Sequence, residues 1–433
     1  MAPDARADDE GSELTDTIFA LSSGAPPAAI AVVRISGPGA DPALRALAGA
    51  LPRPRAARLA TLRDRGEVLD RAIVIRFPGP ASATGEDVAE LHLHGGRSVV
   101  AAVLAALAAM PGLRSAEPGE FTRRAFENGR IDLAEAEGLA DLLAAETQSQ
   151  RRAALALAGG ALSRQVETWQ AAILAASARI EAVLDYGDDD DVAIASPPHL
   201  PPLIDELRAF LRRPPAERLR DGVRVVIAGP PNAGKSSLLN ALVGREAAIT
   251  SAVAGTTRDL VEAPVSLGGV PLLLIDTAGL RESGEAIEAL GVERARASLA
   301  AADLILWLGD PGECPDRGRC ILVGAKADLG AIHPLADVAI SSTTGLGLDS
   351  LADLLVKRAR GLLPAEGEVA INARHRAALA ECAEWLEEAA GSGDLLIVAE
   401  ALRQALRALD RVTGRAGVED MLDDLFGRFC LGK

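Results

Sequence analysis

The stretch Val223-Arg-Val-Val-Ile-Ala-Gly229-Pro-Pro-Asn-Ala-Gly234-Lys235-Ser236-Ser237 constrains this chain more than any other. Its apolar opening reads as a buried strand, residues 229–236 fit G-x-x-x-x-G-K-[ST], and the apolar run after Ser237 is compatible with a helix. A strand, a glycine loop and a helix in that order form a phosphate cradle. Glycine lets backbone N–H groups converge on phosphate oxygens, and the helix N-terminus adds positive potential. Lys235 supplies a point charge to the outer phosphates and the Ser236 hydroxyl can ligate Mg²⁺. Gly229, Asn232, Ala233, Gly234, Lys235, Ser236 and Ser237 are therefore expected to bind a nucleoside triphosphate.

At 433 residues the chain exceeds one core, so several domains are expected. Apolar residues make up 49% but aromatics only 3%, which leaves the core to Ala, Leu, Val and Ile and favours helices around a modest amount of sheet. A formal charge of −16 argues against a broad basic face gripping nucleic acid. Cys314, Cys320, Cys382 and Cys430 contain no C-x-x-C pair and read as reduced thiols of a cytoplasmic protein. No stretch is long and apolar enough for a membrane span. Residues 1–15 are acidic, lack the features of a secretory signal and read as a disordered tail.

Strands are predicted from Ile30, from Ala72 to Phe77 and over Val88-Ala-Glu-Leu-His-Leu-His94, with a helix from Ser98 to Met110. Together they outline an α+β module over residues 16–128. Arg53, Arg55, Arg58, Arg63 and Arg65 cluster within it and read as a solvated loop or edge. His92 and His94, two apart on one strand, read as packed or hydrogen-bonded rather than as a metal pair. Residues 129–219 and 364–433 carry helical periodicity, and residues 220–363 form the nucleotide module between them. Asp188 to Asp191 lack the interleaving of a metal loop and read as a solvated turn.

Further segments follow the phosphate loop in the order a GTP-binding domain requires. Gly255-Thr256-Thr257 lies where a threonine completes a Mg²⁺ shell, so Ser236 and Thr257 are the expected Mg²⁺ ligands. A buried strand ends in Asp276-Thr277-Ala278-Gly279; Asp276 would act on Mg²⁺ through water and the Gly279 N–H would sense the γ-phosphate. Lys326 and Asp328 retain two members of the guanine loop, and Ala325 stands where Asn is usual. Ser341, Ser342 and Thr343 match the loop behind the base. Leu280 stands where small signalling GTPases carry a water-orienting Gln, so hydrolysis needs another positioner and another positive charge. Glu282, Glu285 and Glu288 lie nearby, and Asn232 could hold a monovalent cation.

The chain as a whole resembles the tRNA-modification GTPase family MnmE (also TrmE). The likeness rests on Asp16-Thr17-Ile18, Val33-Arg34-Ile35-Ser36-Gly37, Thr84-Gly85-Glu86-Asp87, Glu90-Leu91 and His94-Gly95-Gly96. It continues through Pro118-Gly119-Glu120-Phe121-Thr122-Arg123-Arg124-Ala125-Phe126, Asp132-Leu133-Ala134-Glu135-Ala136-Glu137, the GTP motifs and Cys430-Leu431-Gly432-Lys433. The resemblance implies a multidomain α/β + α chain: an N-terminal α+β folate-binding-like module that dimerises, a central all-helical domain and an inserted Ras-like α/β P-loop GTPase domain. It implies a cytoplasmic homodimer that works with an FAD-dependent MnmG-family partner on tRNA, with FAD on the partner only. The activity implied is installation of a carboxymethylaminomethyl-type group on C5 of the wobble uridine, using a one-carbon unit from a 5-formyl- or methylene-tetrahydrofolate. By matching positions Arg34, Glu90, Arg130 and Lys433 contact the folate, and Cys430 sits in or near the reaction centre. Asn232, Ser251, the Val253 carbonyl and Thr256 match K⁺ ligands, and Glu288 matches the water-orienting carboxylate. The catalytic set is then Glu288, Asp276, Lys235 and Cys430.

Each residue also has a plainer reading. Arg34 could be a surface ion-pair partner, Glu90 could simply face solvent, and Cys430 beside Phe429 could be a buried structural thiol. Two other functions compete: a ribosome-assembly or RNA-remodelling GTPase switch without one-carbon chemistry, and a folate-dependent transferase whose GTP site is vestigial.

Overall fold

A computed structural model describes residues 16–186, 200–245, 262–277, 296–330, 333–365, 367–415, 419–427 and 429–433. The acidic tail over residues 1–15 and the turn at Asp188 to Asp191 lie outside them. The chain divides into two compact units, Met1–Ala140 with Thr413–Lys433, and Asp141–Val412.

In the first unit the strands are β1 (Thr17–Leu21), β2 (Ile30–Ser36), β3 (Arg58–Asp64), β4 (Glu67–Phe77), β5 (Val88–His94) and β6 (Leu113–Ser115). They form one sheet in the order β3-β4-β5-β2-β1-β6. All neighbours are antiparallel except β1 and β6. Alternation decides the faces. Ala31, Val33 and Ile35 on β2, with Ala89, Leu91 and Leu93 on β5, enter a core. Helices α1 (Ala40–Ala48) and α2 (Arg97–Ala108) contribute Leu44, Leu47, Val100, Val103 and Leu107 to that core. The opposite face carries Arg34, Glu90, His92 and His94, together with exposed Ile30, Leu59 and Ile73. His92 faces Glu90 at 3.2 Å and His94 faces Asp70 at 2.7 Å, so both histidines are hydrogen-bonded.

Helix α3 (Glu120–Glu127) starts from Gly119, whose φ of 74° suits glycine. It brings Arg124, with a side chain only 3% exposed, against Asp16, Glu86 and Glu120. Burial alone would raise the Glu120 carboxyl, but its bonds to Arg114, the Glu117 N–H and Arg124 outweigh burial and lower it. Helix α4 (Leu133–Ala144) follows.

The second unit continues with α5 (Gln148–Ala158), α6 (Ala161–Tyr186), α7 (Pro201–Leu211) and α8 (Glu217–Arg220). Thr147 and Gln150 close a capping box at the start of α5. Trp169 of α6 meets the Phe210 ring of α7 edge-on at 5.2 Å. Then come β7 (Val223–Ala228), α9 (Lys235–Arg245), β8 (Glu262–Leu267), β9 (Val270–Asp276), β10 (Leu304–Trp307), β11 (Cys320–Gly324), β12 (Val338–Ala339) and α10 (Leu348–Arg360). The sheet order is β12-β11-β10-β7-β9-β8, parallel except for β8 against β9. Such strands are buried on both faces, and Val223, Val225, Val226 and Ile227 are all fully buried.

Chain order returns to helix with α11 (Ala373–Gly391) and α12 (Leu395–Thr413). The two crossings into and out of the nucleotide segment meet: Pro215 bridges Ile371, and the Ala373 N–H donates to the Glu217 carboxylate at 2.6 Å. The nucleotide segment is thus an insertion whose ends touch, the geometry that lets a domain be accommodated inside another. The last helix, α13 (Glu419–Phe426), belongs to the first unit, where Phe426 packs near Phe126 and Phe429.

The turn between Cys314 and Cys320 folds Cys314 back onto the first residue of β11 and brings the two sulfurs together, a neighbourhood that no C-x-x-C spacing announces. Among the described residues no helix is long and apolar enough to cross a membrane, and no cluster of His, Cys, Asp and Glu suits a metal ion.

Candidate functional site

The phosphate loop leaves β7 through Gly229 at φ 148°, turns at Asn232 (φ 59°) and Gly234 (φ 100°), and enters α9 at Lys235. A Cβ on Gly229 would lie 3.1 Å from the Leu308 backbone, so glycine is required there for room as well as for torsion. Asn is the non-glycine residue that most readily accepts the left-handed conformation. Lys235, 7% exposed, reaches back to the carbonyls of Gly229 (3.1 Å) and Pro230 (2.9 Å) across the loop it serves. The Ser236 hydroxyl stands 2.5 Å from Asp276, which is 3% exposed at the tip of β9. β9 lies directly beside β7, with Ile227 opposite Asp276, so the parallel register brings the two oxygen donors together. A hydroxyl and a buried carboxylate side by side are the hard oxygen donors that Mg²⁺ takes. Thr277 is fixed by donating from Oγ1 to the Ile227 carbonyl at 2.9 Å.

The base-side loops assemble on the ends of β11 and β12. Lys326 adopts a left-handed backbone and its Nζ donates to the Asn232 carbonyl at 2.8 Å, tying this loop to the phosphate loop. Ala325 packs against the same apolar cluster as Ala233. Asp328 is exposed in the turn that follows. The Ala327 N–H donates to the Ile340 carbonyl at 2.9 Å, which draws buried Ser341, with Ser342 and Thr343, alongside. Ser251, Val253, Thr256, Thr257, Ala278, Gly279, Leu280, Glu282, Glu285 and Glu288 lie outside the described residues.

A second site occupies the first unit. Arg34 and Glu90 are opposite one another in the β2–β5 register and pair at 3.0 Å. Glu90 and Arg130 line one cavity of about 410 Å³ with Arg55, Phe77, Ser82 and Val88. Arg130 donates from Nε to the Ser82 carbonyl at 3.2 Å, and Asn128 holds the same loop through the Thr84 carbonyl at 2.8 Å. The carboxyl terminus is threaded against β1. Leu431 bridges Pro118, Ser22 donates to the Gly432 carbonyl at 2.9 Å, and a Cβ on Gly432 would lie 2.3 Å from the Leu21 carbonyl. Cys430 is exposed, so it is not the buried structural thiol its aromatic neighbour suggested. Arg55 and Phe77 are lining residues that sequence reasoning missed. Arg55 stood within a noted arginine cluster, but only the cavity separates it from the others.

A glycine loop between a central parallel strand and a helix, with an acid on the adjacent strand beside the loop serine, defines a P-loop nucleotide-binding protein. Comparison with known proteins narrows the class. Residues 133–430 match the MnmE helical domain and residues 17–130 match the GTP-binding protein TrmE N-terminus. The tRNA modification GTPase MnmE of Rhizorhabdus wittichii is 60% identical, covering 100% of both chains. That of Novosphingobium aromaticivorans is 56% identical over 97% of this chain and 100% of its own, and that of Zymomonas mobilis subsp. mobilis 51% over 96% and 100%. Among solved structures, the G domain of the T. maritima FeoB iron transporter aligns at 28% identity with a TM-score of 0.24, covering 32% of this chain and 98% of its own. The chain belongs to the MnmE family of tRNA modification GTPases.

Proposed function

We propose that this chain hydrolyses GTP in a complex that modifies the wobble uridine of tRNA at C5 with a carboxymethylaminomethyl-type group. The observation that carries the GTPase reading is the Ser236–Asp276 pair at the lip of the phosphate loop. Loop N–H groups, the α9 N-terminus and Lys235 would hold the phosphates, while Asp328 accepts guanine donors and Lys326 keeps its loop against Asn232. Mg²⁺ would be held by Ser236 and Thr257, with Asp276 acting through water, and would neutralise phosphate charge. K⁺ would supply the charge an arginine finger gives elsewhere; its ligands would be Asn232, Ser251, the Val253 carbonyl and Thr256. The left-handed Asn232 backbone supports this by fixing one ligand's place on the loop. Glu288 would orient the attacking water, a role Leu280 has no hydrogen-bonding group to fill.

The 410 Å³ cavity falls in the size range of small-molecule sites and combines a carboxylate, guanidinium groups and an aromatic ring. That donor set fits a reduced folate, an amine-rich ring system carrying a carboxylate tail, which would supply the one-carbon unit. Arg34, Glu90, Arg130 and Lys433 would bind it, with exposed Cys430 close to the chemistry. Exposed Ile30, Leu59 and Ile73 on the open sheet face support a homodimer formed through this module, while the cytoplasmic location and the FAD-dependent MnmG-family partner belong to the proposal through the family likeness alone. The test is GTP turnover in KCl against NaCl for the wild type, Asp276→Asn and Glu288→Ala, with wobble-nucleoside mass spectrometry of a deletion strain. Turnover indifferent to the cation and to both variants, or unchanged tRNA, would overturn the reading.

A further inference from the structure

The folate reading leaves one charged feature at the cavity mouth unexplained. Arg53, Arg55 and Arg58 are all exposed on the turn that leads into β3. Arg55 lines the cavity, and its guanidinium lies over the Phe77 ring at 5.8 Å. Its backbone is left-handed at φ 58°, a conformation L-residues rarely adopt outside glycine and asparagine. The Arg55 N–H to the Arg76 carbonyl (2.8 Å) and the Ala56 N–H to the Arg53 carbonyl (3.1 Å) hold the turn in that shape. Among the described residues Arg58 donates to the Ala50 carbonyl at 2.7 Å and to no other group. Among the described residues none of the three pairs with a carboxylate, whereas Arg76 is taken by Asp41 and Arg34 by Glu90. In a chain of formal charge −16, three neighbouring guanidinium groups without a carboxylate partner, one of them lining the cavity and donating to the Ala81 carbonyl, call for an acidic occupant.

We propose that Arg53, Arg55 and Arg58 form a subsite for the γ-linked oligoglutamate tail of a reduced folate whose ring system occupies the cavity behind them. Each added γ-glutamate brings one more carboxylate, and Arg55, which lines the cavity, stands between exposed Arg53 and Arg58 in the chain. The inference rests on the folate reading above. It makes the arginine turn a determinant of folate form, not of the one-carbon chemistry.

Calorimetry with the full-length protein tests it, using 5-formyl-tetrahydrofolate bearing one or five glutamates. The pentaglutamate should bind the wild type on the order of tenfold more tightly at low salt, the advantage shrinking as salt rises. Arg53→Glu with Arg58→Glu should abolish that advantage while leaving monoglutamate affinity within about twofold, which also shows that the variant is folded. Arg55→Gly, which relieves the left-handed backbone, should reduce it. Equal wild-type affinity for the two ligands, or an advantage that survives the double variant, would overturn the subsite. If neither ligand binds, the folate reading itself fails and takes the subsite with it. If the double variant keeps the pentaglutamate advantage but loses tRNA affinity, the patch belongs to RNA and the proposal is wrong.

Discussion

Replacing Arg124 by Met tests the buried charge cluster that joins the start of the first unit to its loops. Arg124 Nη1 donates to the Asp16 carbonyl at 3.0 Å and to both Glu86 oxygens at 3.2 Å. Nη2 donates to the Asp16 carboxylate at 2.6 Å and to Glu120 at 3.0 Å. Methionine matches the length of the stem but leaves three acids facing one another. Arg114 still neutralises Asp16 and Glu120 in part, whereas Glu86 keeps only the Ser36 hydroxyl at 2.7 Å. Removing one partner of a buried ion pair costs about 3–5 kcal/mol. Hydrogen exchange of the amides in residues 82–87 and 120–127 should therefore accelerate at pH 7 by roughly two to three and a half orders of magnitude, at 1.4 kcal/mol per decade. The pH dependence gives a second handle. Burial would raise the Asp16 carboxyl, but its bonds to Arg124 and Arg114 outweigh burial and lower it. A lowered acid stabilises the fold above its unfolded value, about 3.9, and that stability is lost as pH falls through the folded value. Without Arg124, Asp16 keeps its Arg114 bond alone, so less stability remains to be lost in acid and the gap in protection between variant and wild type should narrow as pH falls through the folded value. Exchange unchanged within threefold at pH 7 would show that the cluster is not holding these segments.

Two further outcomes are expected from the chain's carboxyl-terminal end. Gly432→Ala places a Cβ against the Leu21 carbonyl at a φ of 89°, so the tail should leave its groove and folate affinity should fall severalfold with GTP turnover unchanged. Unchanged folate binding would remove Lys433 from that site. In thiol titration of the native protein Cys430 should react first, and Cys430→Ser should abolish the fast phase. Cys382 should wait for denaturant, because burial and then the Glu381 charge push its thiol up to about 12.

The strands and helices that carry a strong period were legible in advance. β2, β5, β7 and α2 fall close to the stretches predicted, and α11 and α12 fall within the helical 364–433, since alternation and 3.6-residue spacing are local properties. β1 and β6 were missed for a physical reason. Thr17, Ile18, Phe19 and Ala20 are all buried, so β1 has no alternation to read, and β6 spans only Leu113–Ser115. The described part of the nucleotide loops, where Ser236 meets Asp276 and Lys326 meets Asn232, was legible because these residues sit in consecutive loops of one sheet. The folate-like site was less so. The Arg34–Glu90 pair depends on a register between strands 56 residues apart, and the Arg124 cluster joins residues from three separate segments. No local pattern encodes such pairings, and the resemblance implied roles without the geometry. Arg55 shows the limit most clearly, because nothing in its neighbourhood sets it apart until Phe77 and the cavity are in place.

The insertion itself suggests how nucleotide state leaves the GTP site. β9 begins at Val270 and ends at Asp276 beside the phosphate loop, a rigid run of about 20 Å at 3.3 Å per residue. At its far end the Gly268–Gly269 turn is held twice: Ser149 of α5 donates to the Gly269 carbonyl, and Arg360 of α10 donates to the Gly268 carbonyl at 3.1 Å. Gln150 adds a bond to the Arg220 carbonyl at 3.0 Å. Beside these contacts lies a cavity of about 650 Å³ lined by Arg152, Val270, Pro364 and Glu368, which gives the turn room to shift against α5. The Ser149 bond joins this turn to a helix outside the nucleotide segment and the Arg360 bond braces it from within, so a displacement of Asp276 would reach α5 through that turn. Ser149→Ala with Arg360→Ala should leave GTP turnover within twofold while lowering wobble-uridine modification by fivefold or more, the low end of ordinary allosteric coupling. Modification that survives the double variant would rule out this route. Equal loss of both activities would mean that the bonds merely hold the nucleotide segment together.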